Sequence, residues 1–153
     1  MIKKILVPLD GSPLAEKALP YAEALAQKFS AELILMRVLQ PVLLPMAGLI
    51  ENSKEMVHYP ESFRDESEAN LSRLYLKAIQ DKLHIPARIE VLEGRPEADA
   101  IVELACWESV DLIVMSTHGR SGIDRWVHGS VAHAVFQHAL CPIFFVRAKE
   151  AEC

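Results

Sequence analysis

Continuous apolar runs alternate along this chain with segments whose apolar residues recur every three or four positions. Ile5-Leu6-Val7 is a short continuous run, the pattern of a strand covered on both faces of a parallel sheet. Beyond the Gly11-Ser12-Pro13 turn, Leu14, Ala18, Tyr21, Ala22, Leu25 and Phe29 keep the spacing of one amphipathic helix. Ser12 before Pro13 predicts an N-cap followed by proline at the first helical position. Leu33 to Leu39 is a second apolar run, so this part of the chain reads as a βαβ unit.

From Gln40 to about Arg64 the pattern dissolves among Pro41, Pro45, Gly48 and Pro60, a longer connection than compact domains usually carry without a purpose. Within it, Pro41 to Ile50 fits a lid, a partner-binding surface or an ordinary loop equally well. Helical spacing resumes at Ala69, Leu76, Ile79 and Leu83. Ala87 to Leu92, with Ile89 and Val91 on one face, predicts a third strand. Glu93-Gly94-Arg95-Pro96 predicts a turn, and Ala98, Ile101, Val102 and Ala105 predict another helix. Asp111 to Met115 is the strongest buried-strand run; a loop, a short helix from about Ser130 and a last strand at Ile143–Val146 follow. Strands alternating with helices predict an α/β fold, a doubly wound parallel sheet with helices on both faces. Ligands bind such sheets beyond the carboxyl ends of the strands, where the strand order reverses, which directs attention to the loops after the first and fourth strands.

Composition narrows the function classes. The 153 residues suit one domain, and 51% hydrophobic against 24% charged residues is an ordinary globular balance. A net charge of −5 with no dense Lys/Arg stripe argues against a nucleic-acid or anionic-membrane partner. The apolar run after Lys3-Lys4 is interrupted by Pro8 and Asp10, so it reads as a strand and not a secretory leader. Pro41 to Ile50 is too short to span a bilayer. Cys106, Cys141 and Cys153 form no CxxC pair and are odd in number, which points to thiols in a reducing cytoplasm.

The two loops singled out by topology hold the candidate chemistry. Strand one ends in Val7-Pro8-Leu9-Asp10-Gly11-Ser12, which puts a carboxylate at the sheet edge before a helix start; Asp10 is either a ligand group or a cap for that helix. Strand four is read as ending at Met115, with Ser116-Thr117-His118-Gly119-Arg120-Ser121-Gly122 as loop and Gly129-Ser130 opening the next helix. Glycines let a ligand approach the backbone, and a helix N-terminus offers free amides and the positive end of the dipole, suitable for a polyphosphate. Glycines that merely let the loop turn explain the spacing as well.

Taken together, Val7 to Ser12, Glu93 to Pro96, Asp111 to Met115, His118 to Gly122 running on to Gly129-Ser130-Val131-Ala132, and Cys141 to Val146 resemble the universal stress protein family, in order and over nearly the whole chain. The resemblance implies a five-stranded parallel sheet of order 3-2-1-4-5 and an adenine-nucleotide site. ATP-binding members carry Gly-x2-Gly-x9-Gly-Ser/Thr; Gly119, Gly129 and Ser130 match it, and Ser116 stands at the first glycine. By resemblance, Asp10 and the backbone of Val38 hold adenine, Pro8 and Ser116 lie by the ribose, Gly119, Gly129, Ser130 and Val131 contact the phosphates with Arg120 adding charge, and Met115 and His118 belong to the same site. Arg125 would add charge there. The implied ligand is ATP, with ADP or AMP as alternatives, and Mg²⁺ accompanying the phosphates. The resemblance also implies a homodimer through the C-terminal strand, an unidentified protein partner and a role as a stress-response sensor or regulator.

Catalysis is harder to read. His118 has no nucleophile at a recognisable spacing, and Asp124, His128 and Ser130 are too close in sequence for a hydrolytic triad. His133 and His138 are five apart on a helix and so lie on different faces, unsuited to a metal pair. Slow ATP hydrolysis is the most the residues support. The alternatives are a family member that does not bind ATP and works through protein contacts, and an enzyme of the wider adenine-nucleotide α-hydrolase group.

Overall fold

A computed structural model describes residues 1–39, 61–119 and 129–149. The elements run β1 (Lys4–Pro8), α1 (Pro13–Glu16), α2 (Leu19–Phe29), β2 (Glu32–Leu39), α3 (Glu61–Gln80), β3 (Ala87–Glu93), α4 (Glu97–Trp107), β4 (Leu112–Gly119), α5 (Ser130–His138) and β5 (Ile143–Lys149). The five strands form one sheet of order β3-β2-β1-β4-β5, and every pairing is parallel.

The apolar runs predict strands because those strands are covered on both faces. Leu33 to Met36 of β2 and Ile5 to Val7 of β1 are fully buried. Alternate residues feed two cores: Ile5, Val7, Leu33 and Leu35 pack with Ala22, Ala26 and Leu76. Leu6, Ile34, Met36, Ile113 and Met115 pack with Ile101, Leu104 and Val135 on the opposite face. Ile89 and Val91 share a face as expected, against the first core.

Three expectations are corrected. The helix read from Leu14 through Phe29 is broken at Lys17 and Ala18 into α1 and α2. Pro20 explains the break: it has no N–H to offer the Glu16 carbonyl, and its ring crowds that carbonyl. The amides of Lys17 and Ala18 instead bond three residues back, to Leu14 and Ala15. Tyr21 and Phe29, read as part of the buried stripe, are largely exposed; Leu19, Ala22 and Ala26 make the contact. Secondly, β4 does not end at Met115. Ser116 to Gly119 remain in the strand, in register with Val146 to Lys149 of β5, because the ladder satisfies backbone groups whatever the side chains. Thirdly, Leu83, read with the helical spacing, lies beyond the end of α3 yet packs on the first core; Phe144 of the edge strand is 40% exposed. Arg120, Arg125, Asp124, His128 and the stretch from Gln40 to Pro60 lie outside the described residues. Among the described residues no helix is long and apolar enough to cross a membrane.

The amino edge of the sheet is clamped by one carboxylate. Oδ2 of Asp111 accepts from the amides of Lys3 at 2.7 Å and Lys4 at 3.0 Å. These two donors hold the Asp111 carboxyl below the usual carboxylate range. A lowered folded-state value means stability that is present above the ordinary carboxylate range and is lost as pH falls through the folded value. Asp111→Asn is therefore expected to lower the thermal midpoint at neutral pH, with the gap to the parent closing below about pH 4. Thermal unfolding followed by circular dichroism across that range checks it; a gap unchanged by pH would show that the charge contributes nothing.

Candidate functional site

The strand order reverses between β1 and β4, since β1 pairs with β2 on one side and β4 on the other. An open cleft of about 260 Å³ lies at the carboxyl edge of these strands. Pro8 and Asp10 enter it from the end of β1, Met115, Ser116 and Thr117 from β4, and Gly129, Ser130, Val131 and Ala132 from the start of α5. Ala15 of α1 and Glu97 and Ile101 of α4 complete the lining.

Each segment is held there by its own local chemistry. Oδ1 of Asp10 accepts the Ser12 amide at 2.8 Å, closing a turn, while Oγ of Ser12 accepts from the Ala15 amide at 3.1 Å. Ser12 is thus the helix cap, and Pro13 follows it as expected. Asp10 shapes the turn that delivers its carboxylate to the cleft. Gly11 sits in that turn at φ 88°, a left-handed conformation that costs glycine little. A Cβ on Gly11 would also meet the Arg37 guanidinium at 3.2 Å. Arg37 in turn lies over the Tyr75 ring at 5.2 Å, and the Tyr75 hydroxyl donates to Oε1 of Glu16 at 2.9 Å. Burial, then the bond to Glu16, pushes the Tyr75 phenol well above its ordinary range, so it remains a donor. The Asp10 turn is thereby braced from α3 through β2 and α1.

The other wall is neutral and rich in donors. Gly129 is the N-cap of α5 and has no side-chain cap, so the first amides of that helix keep their hydrogen-bonding capacity for whatever enters. Oγ of Ser116 is buried and has no hydrogen-bond partner among the described residues. Leaving a buried hydroxyl unpaired costs about 1–3 kcal/mol, which marks this atom as ready for a partner in the cleft.

The residues singled out from sequence divide as follows. Pro8, Asp10, Met115, Ser116, Gly129, Ser130 and Val131 line one cleft. Val38 does not line it; it packs half-buried against the second core, one residue from Arg37. The backbones of His118 and Gly119 continue β4, opposite Ala148 and Lys149. Glu97, Ile101, Ala15, Thr117 and Ala132 were not anticipated as lining residues. Helical periodicity places Ile101 in a core without saying that its end opens on a cleft, and Glu97 is to periodicity merely a first-turn acid. The loop after the third strand also ends at the carboxyl edge, a topological signal that would have found Glu97.

Glu97 differs electrostatically from the rest. Burial chiefly, and Asp10 next, raise its carboxyl above the ordinary range, while Arg37 works in the opposite direction. Among the described residues no group of three His, Cys, Asp or Glu side chains is placed to hold a metal ion; His133 and His138 are both exposed.

Comparison with known proteins places this geometry. The profile of the Universal stress protein family matches residues 1–147. Universal stress protein MJ0531 of Methanocaldococcus jannaschii is 35% identical over 99% of this chain and 86% of its own. The solved structure of MJ0577 superposes with a TM-score of 0.72 at 27% identity, covering 99% of each chain. More distant folds include a universal stress protein in complex with cAMP (TM-score 0.63, 22% identity, 97% and 98% of the two chains). An Arabidopsis thaliana family protein with AMP bound is another (TM-score 0.57, 14% identity, 96% and 92%). With its sheet order, its switch-point cleft and a family profile that runs from the first residue through most of β5, the chain belongs to the universal stress protein family.

Proposed function

We propose that this protein binds ATP in the switch-point cleft and serves as a nucleotide-dependent sensor or regulator, with ADP or AMP as competing occupants. The observation that carries this is the meeting, in one cleft, of the Asp10 turn, the buried unpaired hydroxyl of Ser116 and the uncapped amides opening α5. The α5 amides suit phosphate oxygens. The Ser116 hydroxyl, where ATP-binding relatives carry glycine, suits a ribose hydroxyl. The cAMP and AMP bound by fold relatives support an adenine nucleotide as the class. Mg²⁺ would accompany the phosphates, held by their oxygens and its own waters with the Ser130 hydroxyl as a candidate protein ligand, since it demands no all-protein cage.

Turnover is not the favoured role. Among the described residues, the titratable groups lining the cleft are Asp10, from the end of β1, and Glu97, from the start of α4. Neither belongs to β4 or α5, the elements that bring the phosphate donors, and Asp10 already accepts the Ser12 amide.

A homodimer through β5 completes the proposal. That strand is an edge of the sheet, Phe144 is exposed beside Tyr21 at a ring distance of 5.9 Å, Phe136 is exposed beside Phe145 at 6.3 Å, and Leu140, just before the strand, is exposed.

Calorimetric titration of nucleotide-free protein with MgATP tests the site, and sedimentation of the same sample tests the dimer. Micromolar, saturable binding by a species of twice the 17.1 kDa chain mass is the expected result. No detectable heat at millimolar ATP would sink the nucleotide assignment and favour a family member that acts through protein contacts alone.

A further inference from the structure

The cleft has a charge polarity. From β4 and α5 it receives neutral donors, the opening amides of α5 among them; from the end of β1 and the start of α4 it receives two carboxylates, Asp10 and Glu97, with the Arg37 guanidinium near enough to act on Glu97. A triphosphate is repelled by the acidic side and attracted by the helix terminus. A nucleotide seated here therefore directs its phosphates to α5 and its base towards the two carboxylates. Glu97 is fixed in that position: it is the first residue of α4, and the helix is anchored a turn later by Ala100 and Ile101, both fully buried.

We infer that Glu97 sets base specificity, its carboxylate accepting a hydrogen bond from an exocyclic amine and so favouring adenine over 6-oxo purines. The inference rests on the nucleotide reading above and goes beyond it by assigning the discriminating side chain. A 6-oxo group sets an acceptor against an acceptor at this position, whereas the adenine amine supplies a donor; the nearest donor of a 6-oxo purine is its ring N1–H, one position away. Hydrogen bonds to charged groups are the stronger kind, so a discrimination of about 10- to 100-fold is in range.

The competing account makes Glu97 an ordinary first-turn acid that complements the α4 dipole. Asp99 belongs to the same turn, is exposed and does not line the cleft, so it serves as the control. The two accounts also differ in stability. A carboxyl raised by burial and by Asp10 is strained when ionised, so Glu97→Gln is expected to raise the neutral-pH thermal midpoint of the unliganded protein. That gain shrinks as pH falls into the carboxylate range, where Glu97 takes up its proton. Among the described residues, the charged groups facing Glu97 are Asp10 from the end of β1 and Arg37 from β2; those that α1, β4 and α5 bring to the cleft are neutral.

The test is titration of the full chain, Glu97→Gln and Asp99→Asn with MgATP and with magnesium inosine triphosphate. The expected result is an ATP preference of at least about tenfold in the parent and in Asp99→Asn. In Glu97→Gln the amide can donate to a 6-oxo group, and the preference should collapse to near parity, with a raised thermal midpoint showing that the protein is intact. An unchanged ATP preference in Glu97→Gln, or equal binding of both nucleotides by the parent, overturns the assignment of Glu97 while leaving the nucleotide site standing. Failure of the parent to bind either triphosphate overturns both.

Discussion

Gly129→Val is expected to weaken MgATP binding by at least about 100-fold, equivalent to roughly 2.7 kcal/mol. Gly129 caps α5 and lines the cleft immediately before Ser130 and Val131, whose amides are among those free to meet a phosphate. An isopropyl group added there takes up a substantial part of a cleft of about 260 Å³ and keeps phosphate oxygens from the helix terminus. The backbone itself tolerates the change. At φ −48° and ψ 145°, Gly129 occupies an extended conformation open to valine, so no left-handed strain arises. Valine is a poorer N-cap than glycine, which costs about 1 kcal/mol and a few degrees in the thermal midpoint. Binding and stability thus respond very differently, and calorimetry beside a melting curve separates them. Parent-like ATP affinity in the folded variant would place the phosphates elsewhere. Ser130→Ala, which removes one hydroxyl and keeps the amides, should produce a smaller loss of about tenfold.

What could be read from sequence followed what each signal reports. The core strands were legible because Leu33 to Met36 and Ile5 to Val7 are buried on both faces, and burial leaves an apolar run. The last residues of β4 were not, since Ser116 to Gly119 are held by backbone pairing with β5, which is blind to side-chain polarity. The break between α1 and α2 was present in the sequence at Pro20 and lay hidden under an apolar spacing that ran across it. For the cleft, topology and glycine chemistry led to Asp10, Ser116 and Gly129. Glu97 was missed because nothing local distinguishes an acid that opens a helix over solvent from one that opens it over a cleft. The Arg37–Tyr75–Glu16 brace was illegible for a simpler reason: it joins residues from three elements by a single chain of contacts, and periodicity carries no information about such pairings.

Leu6→Ala is expected to cost about 3–5 kcal/mol, the largest stability effect of any substitution considered for this chain. Leu6 is fully buried in the middle of β1, the central strand, and belongs to the core formed with Ile34, Ile101, Ile113 and Met115. Neighbours in two adjacent strands and a helix cannot all close on the vacated volume, so a cavity term adds to the lost burial. Set against a typical total of about 5–15 kcal/mol, that loss brings the variant near the edge of folding. The measurement is urea unfolding at constant slope, and a cost below about 1 kcal/mol would mean that the core does not pack around Leu6 as described. The same substitution joins core to site, because Ile101 and Met115 line the cleft as well as touching this core. If ATP binds only the folded state, ATP at about 100 times its dissociation constant restores roughly 2.7 kcal/mol to Leu6→Ala. Adding Gly129→Val to Leu6→Ala should abolish that rescue without greatly deepening the original defect, since the second change acts on the ligand and the first on the fold. Rescue that survives in the double variant would show that the stabilising nucleotide sits outside the switch-point cleft.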